Sequence, residues 1–279
     1  MNARRQAIWL LAPALLALVL LFYLPQILMF FVSLGSRSPY GTVVYGVGDD
    51  NYLRALEPLY LRILWRSLGL ALATTVICLL VGYPVAWWLG RHVSPRYRTV
   101  LLTLIILPFW TSFLVRMYAW IVLLRSEGVV NNVLGVVGLP TFEFLYNDFA
   151  VLVGQTYGEL PFMIIPLYVT IEKLDEALLE AAADLGAGPL RTFTSVIVPQ
   201  TLPGIVAGCV LVFIPSLGAY LAPDLLGGGK TAYIGNLIQS QFAVARDMPF
   251  GAALSFVLSL VVLMLLAVFR RPLSAARSL

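Results

Sequence analysis

The sequence predicts an all-α membrane protein of about six transmembrane helices. Of its 279 residues, 60% are hydrophobic and only 11% are charged, whereas a soluble domain carries about 25% charged residues. The apolar residues fall in long blocks rather than in short amphipathic periods. Six of these blocks reach the roughly 20 residues that a bilayer crossing requires. Residues 1–279 therefore read as one transmembrane domain.

The first block runs from Ile8 to about Ser33. With Arg4 and Arg5 before it, it resembles a secretory leader, but it is longer than an apolar leader core of about 7–15 residues. No small-x-small cleavage site follows, so an uncleaved first span is expected. The next blocks are Ser67–Trp88, Thr99–Leu124, Phe149–Ile171, Leu202–Leu221 and Phe250–Phe269. Gly128–Leu139, after the third span, is apolar but too short to cross and reads as a surface or re-entrant helix. Gly154 with Gly158, and Gly204 with Gly208, are spaced to let helices approach closely.

Charge sets the orientation. Arg4 and Arg5 precede the first span, and Arg91, His92, Arg96 and Arg98 lie between the second and third. Lys173 and Arg191 lie between the fourth and fifth, and Arg270, Arg271 and Arg277 follow the sixth. An even number of spans puts all four segments on one side, and the excess of Lys and Arg makes that side the cytoplasm. Both termini are then cytoplasmic, in a multi-pass protein of the bacterial inner membrane. The opposite loops hold Asp49, Asp50, Glu57, Glu127, Glu143, Asp148, Asp224 and Asp247. The net charge of +4 does not imply nucleic-acid binding, because the basic residues flank spans rather than forming one patch. Cys78 and Cys209 lie inside apolar segments without metal-type spacing and read as small core residues.

The most informative stretch is the cytoplasmic loop, about residues 171–200. Leu174, Leu178, Ala181 and Leu185 recur at helical spacing and make one apolar face. Glu172, Asp175, Glu176, Glu180 and Asp184 make the other. Gly186 is suited to end a helix in the left-handed conformation, and Pro189 to open the next. Leu190, Phe193 and Ile197 mark a second short apolar face, which Pro199 and Pro203 are expected to break before the fifth span. An acidic hairpin is poorly matched to an anionic inner leaflet and reads instead as a helix laid into the groove of a cytoplasmic protein.

Glu180-Ala181-Ala182-x-x-x-Gly186, followed by Val196-x-Val198-Pro199, resembles the EAA signature of ABC-importer permeases, with Val196 and Val198 where the family has Ile and Leu. Further matches are Asp50-Asn51-Tyr52, Gly82-Tyr83-Pro84, Pro108-Phe109-Trp110-Thr111 and Leu160-Pro161-Phe162-Met163. Others are Pro203-Gly204-Ile205, Asp224-Leu225-x-Gly227-Gly228, Ile234-Gly235-Asn236 and Arg246-Asp247-x-Pro249-Phe250-Gly251. Together they are similar to the first permease subunit of spermidine/putrescine importers. The resemblance implies a type I ABC-importer permease fold, with a coupling helix seated in a cleft of the ATPase. Glu180, Ala181, Ala182, Asp184 and Gly186 would form the ATPase-coupling element, Glu180 touching the ATPase and Gly186 making the turn. It also implies the partners: a second permease, two ATPase subunits that bind ATP and Mg, and an extracytoplasmic binding protein. No cofactor is expected on this chain.

Gly227-Gly228-Gly229-Lys230-Thr231 looks like the end of a phosphate-binding loop, but that motif needs Gly where this chain has Asp224. No strand is expected before it, and the topology places it outside the cell, so it reads as an outer gate loop. With a single histidine and no catalytic set, the chain is not expected to be an enzyme. Arg116 in the third span and Glu159 in the fourth are ionisable groups within the membrane, which face an interior or a cavity. Either they form a structural pair or contact a partner subunit, or Glu159 lines a cation pathway. Trp110, Tyr118, Trp120, Tyr157 and Tyr220 have the rings to flank a protonated amine, but each taken singly reads rather as an interface anchor, with Trp110, inside Pro-Phe-Trp-Thr, the exception. Trp110, Tyr118, Tyr157, Glu159, Tyr220 and Asp224 are the candidate pathway residues. The rival readings are an ion-driven transporter and a membrane scaffold that moves nothing. The first would favour broken helices in inverted repeats, and the sequence shows no broken helix.

Overall fold

The structure, a computed structural model, describes residues 11–13 and 15–275. Arg4, Arg5, Ile8 and Arg277 lie outside the described residues. Five helices are long and apolar enough to cross a membrane: α1 (Leu11–Ser33), α3 (Pro58–Arg91), α7 (Asp148–Glu172), α9 (Pro189–Gly218) and the apolar part, Met248–Ala267, of α12 (Met248–Ala275). Between them come a short hairpin of β1 (Ser36–Arg37) and β2 (Val43–Val44), α2 (Asp50–Ala55), α4 (Pro95–Ile106), α5 (Phe113–Leu124) and α6 (Val129–Val136). The loop helix α8 (Glu176–Asp184), α10 (Leu221–Leu226) and α11 (Ile234–Ala243) complete the chain.

The expected third span is not one helix. Its two parts, Pro95–Trp110 and Phe113–Val136, meet at 91°. Pro108 offers no N–H and its ring crowds the preceding turn, and Leu107–Trp110 tightens into a 3₁₀ turn. Thr111 and Ser112 then take extended backbone angles. The Thr111 hydroxyl donates to the Pro108 carbonyl at 2.6 Å, which satisfies one group freed by the break, as a membrane interior demands. The expectation of an unbroken span fails here. The short apolar stretch after it does form a helix, α6.

The fifth span also differs from expectation. Pro199 and Pro203 do not separate the second loop helix from the span, because α9 runs unbroken from Pro189 to Gly218. Residues Phe193–Ile197 form a π-turn in which the Val198 N–H bonds the Phe193 carbonyl. This wider turn just before Pro199 leaves room for a residue that cannot donate.

The described residues fall into two compact units. In the smaller, Asn51 donates to the carbonyls of Ser33 and Gly35 at 3.0 and 2.8 Å and holds the end of α1. Tyr52 meets Ser33 through their hydroxyls at 2.7 Å. Arg54 pairs with Asp247 at 2.9 Å and lies 3.9 Å from the centre of the Phe250 ring. Two stretches that the sequence marked separately, Asp50-Asn51-Tyr52 and Arg246–Gly251, thus belong to one unit.

In the larger unit, α7 is central. A Cβ on Gly204 of α9 would lie 2.7 Å from the Pro166 carbonyl oxygen, and one on Gly208 would lie 2.6 Å from the Met163 sulfur. Both glycines are therefore points of close helix approach. Gln155 of α7 donates to the Ser216 carbonyl of α9 at 2.7 Å. The Tyr83 hydroxyl of α3 meets Thr201 of α9 at 2.9 Å. Cys78, Leu89, Met163, Leu167 and Ile171 form the core between α3 and α7. A second core brings Met117 and Leu124 of α5 against Val151 and Leu226.

Candidate functional site

The loop after α7 folds as its local chemistry requires. The Asp175 carboxylate accepts from the Ala177 N–H at 3.0 Å and caps the start of α8. At the far end Gly186 has φ +76°. Its N–H bonds the Ala183 carbonyl at 2.9 Å, and the Ala187 N–H bonds that of Ala182 at 3.0 Å. This paired closure is a Schellman ending, for which glycine is the ordinary residue. Pro189 then opens α9.

Of the predicted apolar face, only Leu174 is buried within the chain. Leu178, Ala181 and Leu185 point outward, Leu185 with 87% of its surface exposed. Leu190, across the turn, is 77% exposed. The periodicity marked a helix face correctly, but this chain does not cover it. Ala182 packs inward instead. Glu180 and Asp184 are exposed, and among the described residues their side chains make no hydrogen bond or ion pair. The motif residues Glu180, Ala181, Asp184 and Gly186 therefore form an open surface, with Ala182 beneath them.

Two arginines that entered the sequence reading only as orientation signals reach into this loop. Arg91, the last residue of α3, donates to the Leu174 carbonyl at 3.2 Å and pairs with Glu176 at 3.1 Å. Arg98 of α4 donates to the Val93 carbonyl at 2.8 Å and pairs with Glu172 at 3.3 Å. The Tyr168 hydroxyl donates to the same Glu172 oxygen at 2.6 Å. No local spacing could have announced these contacts, because the partners stand 83 and 74 residues apart.

The pathway candidates are not gathered into one pocket. Trp110, on the 3₁₀ turn at the break, is 81% exposed, and Tyr118 of α5 is also exposed. Tyr157 packs edge-on against Trp120, with ring centres 5.7 Å apart. Tyr220 and Asp224 sit just beyond α9, Tyr220 at the N-cap of the short α10 and Asp224 within it, joined by the backbone bond from the Asp224 N–H to the Tyr220 carbonyl. Asp224 lies six residues beyond the end of the fifth spanning helix at Gly218. Among the described residues no side-chain hydrogen bond or ion pair joins any two of the six.

Arg116 and Glu159 do not form the direct pair considered from the sequence. Nε and Nη1 of Arg116 and Oε2 of Glu159 are buried without hydrogen-bond partners. Arg116 instead sits among rings, 4.2 Å from the centre of Phe109, 5.3 Å from Phe113 and 6.0 Å from Tyr157. A Cβ on Gly158 would lie 2.9 Å from the Phe113 ring, so this glycine seats the ring that flanks Arg116. The glycine-rich stretch Gly227–Lys230 is a turn preceded by the helix α10 rather than by a strand, which removes the phosphate-loop reading.

Comparison with known proteins places this geometry. The family model for the binding-protein-dependent transport system inner membrane component matches residues 82–273. The chain is 44% identical over 257 residues to the spermidine/putrescine transport system permease protein PotB of Escherichia coli K12, covering 91% of this chain and 93% of that one. It is 42% identical to PotB of Haemophilus influenzae, covering 91% and 89%. The crystal structure of a bacterial alginate ABC transporter in complex with an alginate pentasaccharide-bound periplasmic protein contains a chain of the same fold. Its TM-score is 0.73 at 21% identity, over 95% of this chain and 93% of that one. The open loop helix, the close-packed spans and these likenesses agree: the chain belongs to the inner-membrane permease components of binding-protein-dependent ABC importers.

Proposed function

We propose that this chain forms half of the translocation pathway of a polyamine importer. Spermidine or putrescine would pass between it and a second permease after release from an extracytoplasmic binding protein. The cargo reading is supported by the 44% identity to permeases named for spermidine and putrescine transport. Two ATPase subunits, which bind ATP and Mg, supply the energy, and this chain carries no cofactor. Both termini and the α8 loop face the cytoplasm.

The observation that carries the coupling reading is the helix α8, capped at both ends yet with Leu178 and Leu185 exposed. A helix that is well formed and uncovered on its apolar side is shaped for a groove in another protein. Glu180 and Asp184 would meet the ATPase, and Gly186 sets the turn. When ATP closes the ATPase pair, the two coupling helices approach and the spans open outward. Hydrolysis returns the pathway to its inward-facing state. Trp110, Tyr118 and Tyr220, exposed on the isolated chain, are suited to flank a protonated amine. Tyr157, Glu159 and Asp224 complete the set.

The test is uptake of labelled spermidine and putrescine into proteoliposomes holding this chain, its permease partner and the ATPase, with binding protein outside. ATP-dependent uptake that is lost in Glu180→Lys, with the complex still assembled, is the expected result. ATP hydrolysis without movement of either amine overturns the cargo. Uptake untouched by Glu180→Lys overturns the coupling assignment.

A further inference from the structure

The path from the ATPase to the spans must cross a weak joint. Helix α7 ends at Glu172 and α8 begins at Glu176, leaving Lys173, Leu174 and Asp175 between them. Across the joint run the backbone bonds from the Lys173 and Leu174 N–H groups to the Ile171 carbonyl, the latter at 3.2 Å, and the Asp175 side-chain cap. Short joints of this kind absorb rotation as hinges do. A displacement of α8 would then be lost in bending rather than passed on.

The structure braces this joint on both sides. Arg91 bridges its middle and its far end, holding the Leu174 carbonyl with one nitrogen and Glu176 with the other. The planar guanidinium is the side chain suited to such two-pronged contact. Arg98 and Tyr168 fix the near end by converging on one oxygen of Glu172. Beneath them Leu89, Val93, Ile171 and Leu174 are buried. A Cβ on Gly90 would lie 3.0 Å from the Ile171 side chain, so α3 and α7 touch closely at this end. The opposite end of α8 is different. Gly186, Ala187 and Gly188 form the turn, and Leu185 and Leu190 beside it are open.

We propose that Arg91 and Arg98 are positioning residues for energy coupling, a clamp that makes the start of the coupling helix one body with the ends of the second span and of the third. The inference rests on α8 being the ATPase-docking helix. Motion received near Glu180 and Gly186 is delivered through Arg91 to α3, and through the end of α7, where Arg98 holds Glu172, to α4. Without the clamp the same ATPase closure turns α8 about residues 173–175 and leaves the spans behind. Neither arginine touches the cargo.

The experiment uses the complete reconstituted complex and reads polyamine taken up per ATP hydrolysed, with co-purification of the ATPase as the assembly control. Arg91→Ala is expected to lower uptake per ATP about fivefold or more, the lower end of ordinary coupling strengths, with the ATPase still bound. Arg91→Lys, which keeps the charge but loses the fork, falls between. Arg98→Glu alone lowers the ratio, and Arg98→Glu combined with Glu172→Arg restores part of it. Recovery is partial because Tyr168 loses its acceptor. A purely structural role predicts fewer assembled complexes with an unchanged ratio. An unchanged ratio in Arg91→Ala and Arg98→Glu overturns the clamp while the docking reading stands. Polyamine uptake per ATP that ignores both Glu180→Lys and Gly186→Val overturns the docking reading, and the clamp with it.

Discussion

The guanidinium of Arg116 lies 4.2 Å from the centre of the Phe109 ring, and the two residues stand on opposite sides of the break in the third span. Phe113, on Arg116's own helix, lies 5.3 Å away. A cation lying against aromatic rings contributes from about 0.5 kcal/mol where exposed to about 2 kcal/mol where desolvated, and Arg116 is partly buried. The break at Thr111–Ser112 is therefore supported by a side-chain contact as well as by the nearby proline. Arg116→Ala is expected to lower the stability of the detergent-solubilised complex by about 1–2 kcal/mol. Arg116→Lys recovers part of this loss, since an ammonium meets the rings but does not stack flat on them. Thermal unfolding of the purified complex reads both.

Close helix contact at Gly204 gives a second expectation. A methyl group there meets the Pro166 carbonyl and the Thr170 side chain, and backbone cannot move aside as a flexible side chain does. Gly204→Ala should cost about 1–3 kcal/mol through overpacking. Gly69→Ala is a fitting control, because nothing lies within 4 Å of a Cβ there. Comparison of the two unfolding midpoints decides the matter, and equal midpoints would contradict the packing described.

Gly186 tests backbone conformation rather than packing. Its φ of +76° costs an ordinary L-residue roughly 1–2 kcal/mol, while a Cβ would meet no neighbour within 4 Å. Asn tolerates this conformation and Val does not. Gly186→Asn is expected to keep most uptake, and Gly186→Val to lose it with the spans intact. A circular-dichroism spectrum alongside the uptake assay separates a local change at the turn from unfolding.

Alkaline pH should loosen a different part of the molecule. The buried Tyr233 hydroxyl donates to Asp148 at 2.8 Å, and Arg66 pairs with the same carboxylate at 2.7 Å. Burial first, and then the bond to Asp148, push the Tyr233 hydroxyl above its ordinary value of 10.0. A proton held more tightly in the folded than in the unfolded chain stabilises fully below the unfolded value. That contribution is lost as pH rises from there through the folded value. Stability of the wild type should fall above about pH 10, and more steeply than that of Tyr233→Phe, which has no proton to lose. Melting temperatures measured in steps from pH 8 to 11 provide the comparison; parallel curves would refute it.

Five of the six expected spans were legible in the sequence as helices of spanning length, because the bilayer imposes a length and apolar blocks either meet it or do not. The turn at Gly186 and the opening of α9 at Pro189 were legible for a similar reason, since backbone freedom and its loss are properties of single residues. Proline shows where that legibility ends. Pro84, Pro161, Pro166 and Pro203 lie inside helices that continue, whereas the helix breaks beside Pro108. Proline removes a donor in every case, and its surroundings decide whether the helix survives the loss. A π-turn carries the chain past Pro199, while Thr111 and the rings around Arg116 stabilise the break near Pro108. The same limit hid Arg91 and Arg98, whose partners lie far along the chain and meet them only once α3, α4 and α7 have packed. Local chemistry determined which helices form and where the loop turns. Tertiary packing decided which helix breaks, which face of α8 stays open and which charges hold it.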